Sequence, residues 1–170
     1  MTVVACETPG ESGLDRRAVE TADFKDAYRA PLRRDLGMVE LFAAVFGHHP
    51  WGVKLLLITR NCAAGLCGLE VPSVAEILRP RIADAYVVGD KIGPWPIFAI
   101  TDRELIAGRD NGHMDFRLSI LKSADGASVT VSTICNVHNL FGRLYLAAIT
   151  PFHRAGVRAL MARALASERL

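Results

Sequence analysis

Between residues 96 and 137 apolar and polar side chains alternate with a period of two, and from Asn139 onward the period lengthens to that of a helix. The first pattern predicts strands over residues 96–101, 104–109, 113–122 and 129–137, joined at Asp102, Asn111-Gly112 and Asp125-Gly126. The second predicts one helix over residues 140–167, roughly 40 Å long at 1.5 Å per residue, capped by Asn139 and kinked at Pro151. On a wheel, Phe141, Tyr145, Ala148, Ile149, Phe152, Ala155, Gly156, Ala159 and Ala166 share an apolar arc, opposite Arg143, Thr150, Arg154 and Arg158. Arg163 falls inside that arc, with Met161 and Leu165 outside it. A helix of this length with one wide apolar face needs a sheet to lie across, and the alternating segments supply it.

The earlier half carries a strand at residues 26–32, where Pro31 marks an end or an edge, and a helix at residues 36–46. Residues 50–66 form a helical stretch with Pro50 at its first position, apolar around its whole circumference. Lys54, Arg60 and Asn61 interrupt it, and its apolar run falls far short of the ~18 residues a membrane span requires, so it is expected as a buried or interface helix. A short helix follows at residues 73–78, with Ser73 and Glu76 at capping-box positions. Residues 89–95, rich in glycine and proline, are a loop or irregular strand. Residues 1–22 carry Pro9, Gly10 and Gly13 among charges and are expected as a loose tail before a single domain over residues 23–170.

The turn pairs imply a register. A two-residue turn at Asp125-Gly126 sets Ile120 opposite Val131, Leu118 opposite Thr133, Phe116 opposite Cys135 and Met114 opposite Val137. A similar turn at Asn111-Gly112 sets Phe116 opposite Ala107 and Leu118 opposite Leu105, all on the face the last helix covers. The other face then holds His113 opposite His138, Asp115 opposite Asn136 and Ser119 opposite Ser132, with Arg117 among them. The fold class is α+β: a helix grip, an antiparallel sheet curved around the C-terminal helix, with two helices between the first strand and the meander.

Composition changes this picture little. About half of the 170 residues are hydrophobic, enough to bury a core without staples. A net charge of +2 lacks the concentrated basic stripe that nucleic acid demands. Cys6, Cys62, Cys67 and Cys135 show no paired CxxC spacing, which fits reduced thiols in the cytoplasm. No hydrolase, zincin, phosphate-loop or dinucleotide motif is present, so no metal or cofactor is expected.

Three groups of residues carry a resemblance. They are Ile92-Gly93-Pro94-Trp95-Pro96, the strand from His113 to Ser119, and the junction Val137-His138-Asn139 running through Gly142-Arg143-Leu144-Tyr145 to Pro151-Phe152-His153. With Asp26 to Leu32 as opening strand, they resemble the bacterial domain-of-unknown-function family 2867 from about Asp23 to the end. That family is similar in architecture to the START-like ligand-binding superfamily, and some relatives are fused behind short-chain-dehydrogenase-type NAD(P) domains. The resemblance implies a hydrophobic pocket and supplies no catalytic residues.

The leading functional expectation is an apolar or aromatic small molecule held between sheet and last helix by Trp95, Phe98, Phe116, Tyr145 and Phe152. The alternatives are an enzyme, cyclase- or hydrolase-like, with His or Asp as general base in that pocket, and an accessory protein docking a partner or a twin subunit around residues 50–58. His113, Asp115, Arg117 and His138 are the polar candidates. Alternation alone accounts for them, and Asp115 with Arg117 makes a structural ion pair, so a solvated ladder is preferred there over a site. His153, on the helix flank, is expected to donate to a neighbour or face water.

Overall fold

The computed structural model describes residues 2–48 and 86–170. Strands β1 (Val4–Cys6), β2 (Phe24–Pro31), β3 (Lys91–Ile92), β4 (Trp95–Ile100), β5 (Glu104–Asp110), β6 (Met114–Lys122) and β7 (Ser128–Val137) form one antiparallel sheet in the order β1-β2-β7-β6-β5-β4-β3. Helices α1 (Arg16–Glu20) and α2 (Met38–Phe46) lie in the first third of the chain, and α3 (Leu140–Ala166) closes it. A curved sheet gripped by a long C-terminal helix is the α+β arrangement the pattern implied. The helices expected at residues 50–66 and 73–78 lie outside the described residues, as do Cys62 and Cys67. Among the described residues no helix is long and apolar enough to cross a membrane.

The β6–β7 register is the one implied by its turn: Met114, Phe116, Leu118 and Ile120 face Val137, Cys135, Thr133 and Val131. The turn itself differs from type I′, since only Gly126 takes a positive φ, 69°, and Asp125 instead accepts from the Ala127 amide at 3.0 Å. At the β5–β6 hairpin the register differs by two. Leu118 pairs with Ala107, Leu105 with Ile120 and Phe116 with Arg109, because the turn centres on Gly112-His113 and closes between Asn111 and Met114. A two-residue shift keeps the paired strand residues on their expected faces, whereas His113, now in the turn, leaves the outer face and turns toward the C-terminal helix.

α3 starts where the Asn139 side chain accepts from the Gly142 amide at 2.9 Å. Its first turn presses on the sheet so closely that a Cβ on Gly142 would fall 2.2 Å from the His113 carbonyl oxygen. The facing of α3 corrects the wheel by about one residue. Leu146, Val157, Leu160, Met161, Ala164 and Leu165 are buried, whereas Phe152 is 62% exposed and Phe141 44%. Arg163, placed inside the apolar arc by the wheel, is exposed. At the chain end Arg169 donates to the Ala44 carbonyl at 2.7 Å and caps α2, whose last carbonyls have no helical partner.

Residues 1–22 are not a loose tail. β1 pairs with β2, Val4 opposite Arg29, and Asp15 caps α1 by accepting from the Ala18 amide at 2.7 Å. Leu14 is buried with Ile106 and Ile134, and Ala18, Val19 and Ala22 pack around them on the face α3 does not cover. The buried carboxylate of Glu104 pins this segment, accepting from the Ser12 hydroxyl at 2.5 Å, the Gly13 amide at 2.7 Å and the Ser119 hydroxyl at 2.6 Å. The outer face of the sheet is thus partly roofed, not a fully solvated ladder.

Candidate functional site

The register lays the inner face out in rows across β2, β7 and β6. Phe24, Cys135 and Phe116 form one row, and Tyr28, Val131 and Ile120 another. Each belongs to a separate apolar cluster: Phe24, Met114, Cys135 and Leu146 make a small one, while Tyr28, Val131 and Ile120 join the main core with α2 and the C-terminal half of α3. Between the two rows runs Asp26, Thr133 and Leu118, so a polar pair sits on the seam between the two clusters.

α3 places His153 above that pair. Its Nε2 lies 3.1 Å from the Thr133 hydroxyl and 3.5 Å from Asp26 Oδ1. The ring also packs edge-on against Phe24, with centroids 5.5 Å apart. Asp26 is the anomaly. Its side chain is 9% exposed, and its two neighbours hold it loosely: His153 stands 3.5 Å away and the Tyr28 phenol lies beside it, neither within close bonding geometry. Leaving a buried polar group unpaired costs on the order of 1–3 kcal/mol, and more when it is charged. The surroundings feel that carboxylate. Burial, and then the Asp26 charge, hold the Tyr28 phenol above its ordinary range, while burial followed by Asp26 and Asp23 pushes the Cys135 thiol up to about 12. Cys135 is therefore a neutral wall of the site and no nucleophile.

The aromatic side chains expected to line one pocket are distributed over three places. Trp95 and Phe116, half-buried on the inner face, pack with tilted rings 5.7 Å apart, and Trp95 meets Phe42 and Phe46 edge-on at 6.2 Å. Tyr145 packs against the smaller cluster and the ring of His113. Phe98 faces the other way, since it follows the inward Ile97 along β4 and alternation turns it to the outer face beside Arg117. Phe152 is out in solvent, since the true inner stripe of α3 runs through His153.

The polar candidates separate as well. His113 turns toward α3, edge-on to Phe141 and Tyr145, and burial followed by the nearby His138 holds its imidazole below the usual range. His138 Nε2 lies 3.0 Å from Asp115. Arg117 does not pair with Asp115 as expected. It grips Asp110 at 2.5 and 3.1 Å and lies 3.6 Å over the Phe98 ring, and it holds the Asp110 carboxyl below the ordinary range. Arg117, Phe98, Asp115 and Asn136 border a half-open cleft of about 440 Å³ under α1, floored by Leu14, Ile106 and Ile134. Among the described residues no group of three His, Cys, Asp or Glu side chains is placed to hold a metal ion.

Asp26, Thr133 and His153 were absent from the residues singled out as a site. One signal was available: Asp26 keeps the strand parity of Tyr28 and Ala30, so the alternation put an acid on an apolar face.

No curated protein and no solved structure matches the chain. Residues 18–160, which contain all three of these side chains, match the family described as protein of unknown function DUF2867, and the chain belongs to that family.

Proposed function

We propose that the protein binds a small molecule with an apolar or aromatic body on the inner face of the sheet, beneath α3, in the manner of START-like domains. The observation that carries this reading is the seam. A domain of this size ordinarily fills the space between sheet and helix with one contiguous core. Here two apolar clusters flank a polar row, and the side chains at their margin, Trp95, Phe116 and Tyr145, are only partly buried. Half-buried aromatics beside a few convergent polar groups are the usual lining of a small-molecule site. The unpaired thiols Cys6 and Cys135 fit a reducing, cytoplasmic setting for it.

Equilibrium dialysis against a neutral aromatic probe, 2-naphthol, tests the reading. Saturable uptake near one molecule per chain is expected, and Phe116→Ala should weaken it by about tenfold, the equivalent of ~1.4 kcal/mol. Uptake that rises without saturating, or that ignores Phe116→Ala, counts against a site on this face.

A further inference from the structure

α3 is apolar on two sides. Leu146, Val157, Leu160, Met161 and Ala164 are buried against the rest of the fold. On the arc that faces away lie Leu144, Ala148, Phe152, Ala155 and Ala159, every one exposed, and no polar side chain interrupts that arc from Leu144 to Ala162. Leu140 is 72% exposed, Leu144 65% and Phe152 62%; with Phe141 they make up half of the large apolar side chains exposed among the described residues. Arginines border the stripe, Arg158 on one side and Arg163 on the other, with Arg143 and Arg154 beyond Arg158. α3 contains no acidic residue, and among the described residues none of its four arginines forms an ion pair. In a chain of net charge +2 the positive surplus thus sits on this one helix.

We propose that the outward stripe of α3 docks the protein on an anionic phospholipid bilayer, the helix lying along the surface with Leu140, Leu144 and Phe152 entering the acyl boundary and the arginines meeting lipid phosphates. A contiguous exposed apolar patch marks an interaction surface, and the charge beside it selects the occupant. A second copy of the chain would set arginines against arginines, with no acid on either helix to answer them. A protein partner ordinarily contributes roughly one hydrogen bond per 100–200 Å² of interface, and this arc offers no hydroxyl, amide or carboxylate to direct one. A bilayer asks for none. Its apolar boundary accepts Leu and Phe without directional bonds, and its phosphates match guanidinium forks along both borders of the stripe.

Vesicle flotation tests the assignment. The chain should partition at least about tenfold more strongly into phosphatidylcholine vesicles holding about 30% phosphatidylglycerol than into phosphatidylcholine alone, and about 0.5 M NaCl should erase most of that difference. Leu144→Gln with Phe152→Gln should weaken binding to the anionic vesicles by about tenfold or more. Arg158→Gln with Arg163→Gln should do the same, since each arginine near such a surface contributes roughly fivefold. Both double variants should leave the urea midpoint unchanged, because all four side chains are exposed. Absent binding, equal partition into the two kinds of vesicle, or binding that survives the Leu144 and Phe152 changes would each overturn the proposal. A urea midpoint lowered by those two changes would overturn it as well, because the stripe would then be packed against the chain itself. So would a dimer in sedimentation equilibrium that the same two changes split, which would make a second copy the occupant.

Discussion

Two buried acids in this chain are treated in opposite ways, and the contrast is itself evidence. Glu104 collects two hydroxyls and an amide, so its oxygens are satisfied where they sit. Asp26, at similar burial, has only the Tyr28 phenol and His153, 3.5 Å away, to set against it. Stability should respond with opposite signs. Glu104→Ala removes the acceptor shared by these donors and is expected to cost about 2–4 kcal/mol. Asp26→Asn trades a weakly held buried carboxylate for a neutral amide, and part of the cost of burying the acid should be recovered as about 1–2 kcal/mol of added stability. Urea unfolding of both variants checks the pair. A destabilised Asp26→Asn would mean that the acid has a partner in the folded chain and is structural. A residue whose removal stabilises the fold is retained for something other than folding.

At the scale of elements, the strands were legible and the helix facing was not. Strand parity survives a register change of two, which is why the paired strand side chains kept their faces although the β5–β6 turn centres one residue later than Asn111-Gly112 implies. The wheel of α3 had no such protection. Its inner stripe contains Gly142, Thr150 and His153, while Leu140, Phe141, Leu144 and Phe152 are exposed, so a count of apolar residues points about 100° away from the true face. Part of that error has a local cause: His153 occupies an inward position because Asp26 and Thr133 lie beneath it. Phe98 was legible: three residues from Trp95 in one strand, it belongs on the opposite face by alternation alone. The corrected facing makes a sharp comparison. Met161, fully buried, should lose about 2–5 kcal/mol on truncation to alanine, whereas Phe152→Ala should stay within about 0.5 kcal/mol. Thermal or urea unfolding of the two variants separates the old facing from the new.

Over the whole molecule the sheet is a partition with a different cover on each side. α3 and α2 close the inner face, and the segment from Ser12 to Ala22 lies on the outer one. That second cover was invisible in the sequence because α1 is only five residues long and its apolar contribution, Leu14 with small side chains around it, makes no periodic stripe. Its contribution follows from what it hides. Removing it exposes Ile106 and Ile134, strips Glu104 of the Ser12 and Gly13 donors, and frees the Val137 amide from Asp23 if the cut passes that residue. A chain beginning at Asp23 should therefore lose more than about 3 kcal/mol, from the apolar surface of Leu14 and its neighbours together with two bonds to a buried charge. A true tail would leave the urea midpoint where it was. Leu14→Ala in the full-length chain separates the cover from the loss of β1, and about 2 kcal/mol is expected from it alone. Amide exchange at Ile106 and Ile134 should stay slow in the inner-face variant Asp26→Asn and quicken in Leu14→Ala, because the two covers act on opposite sides of the same strands.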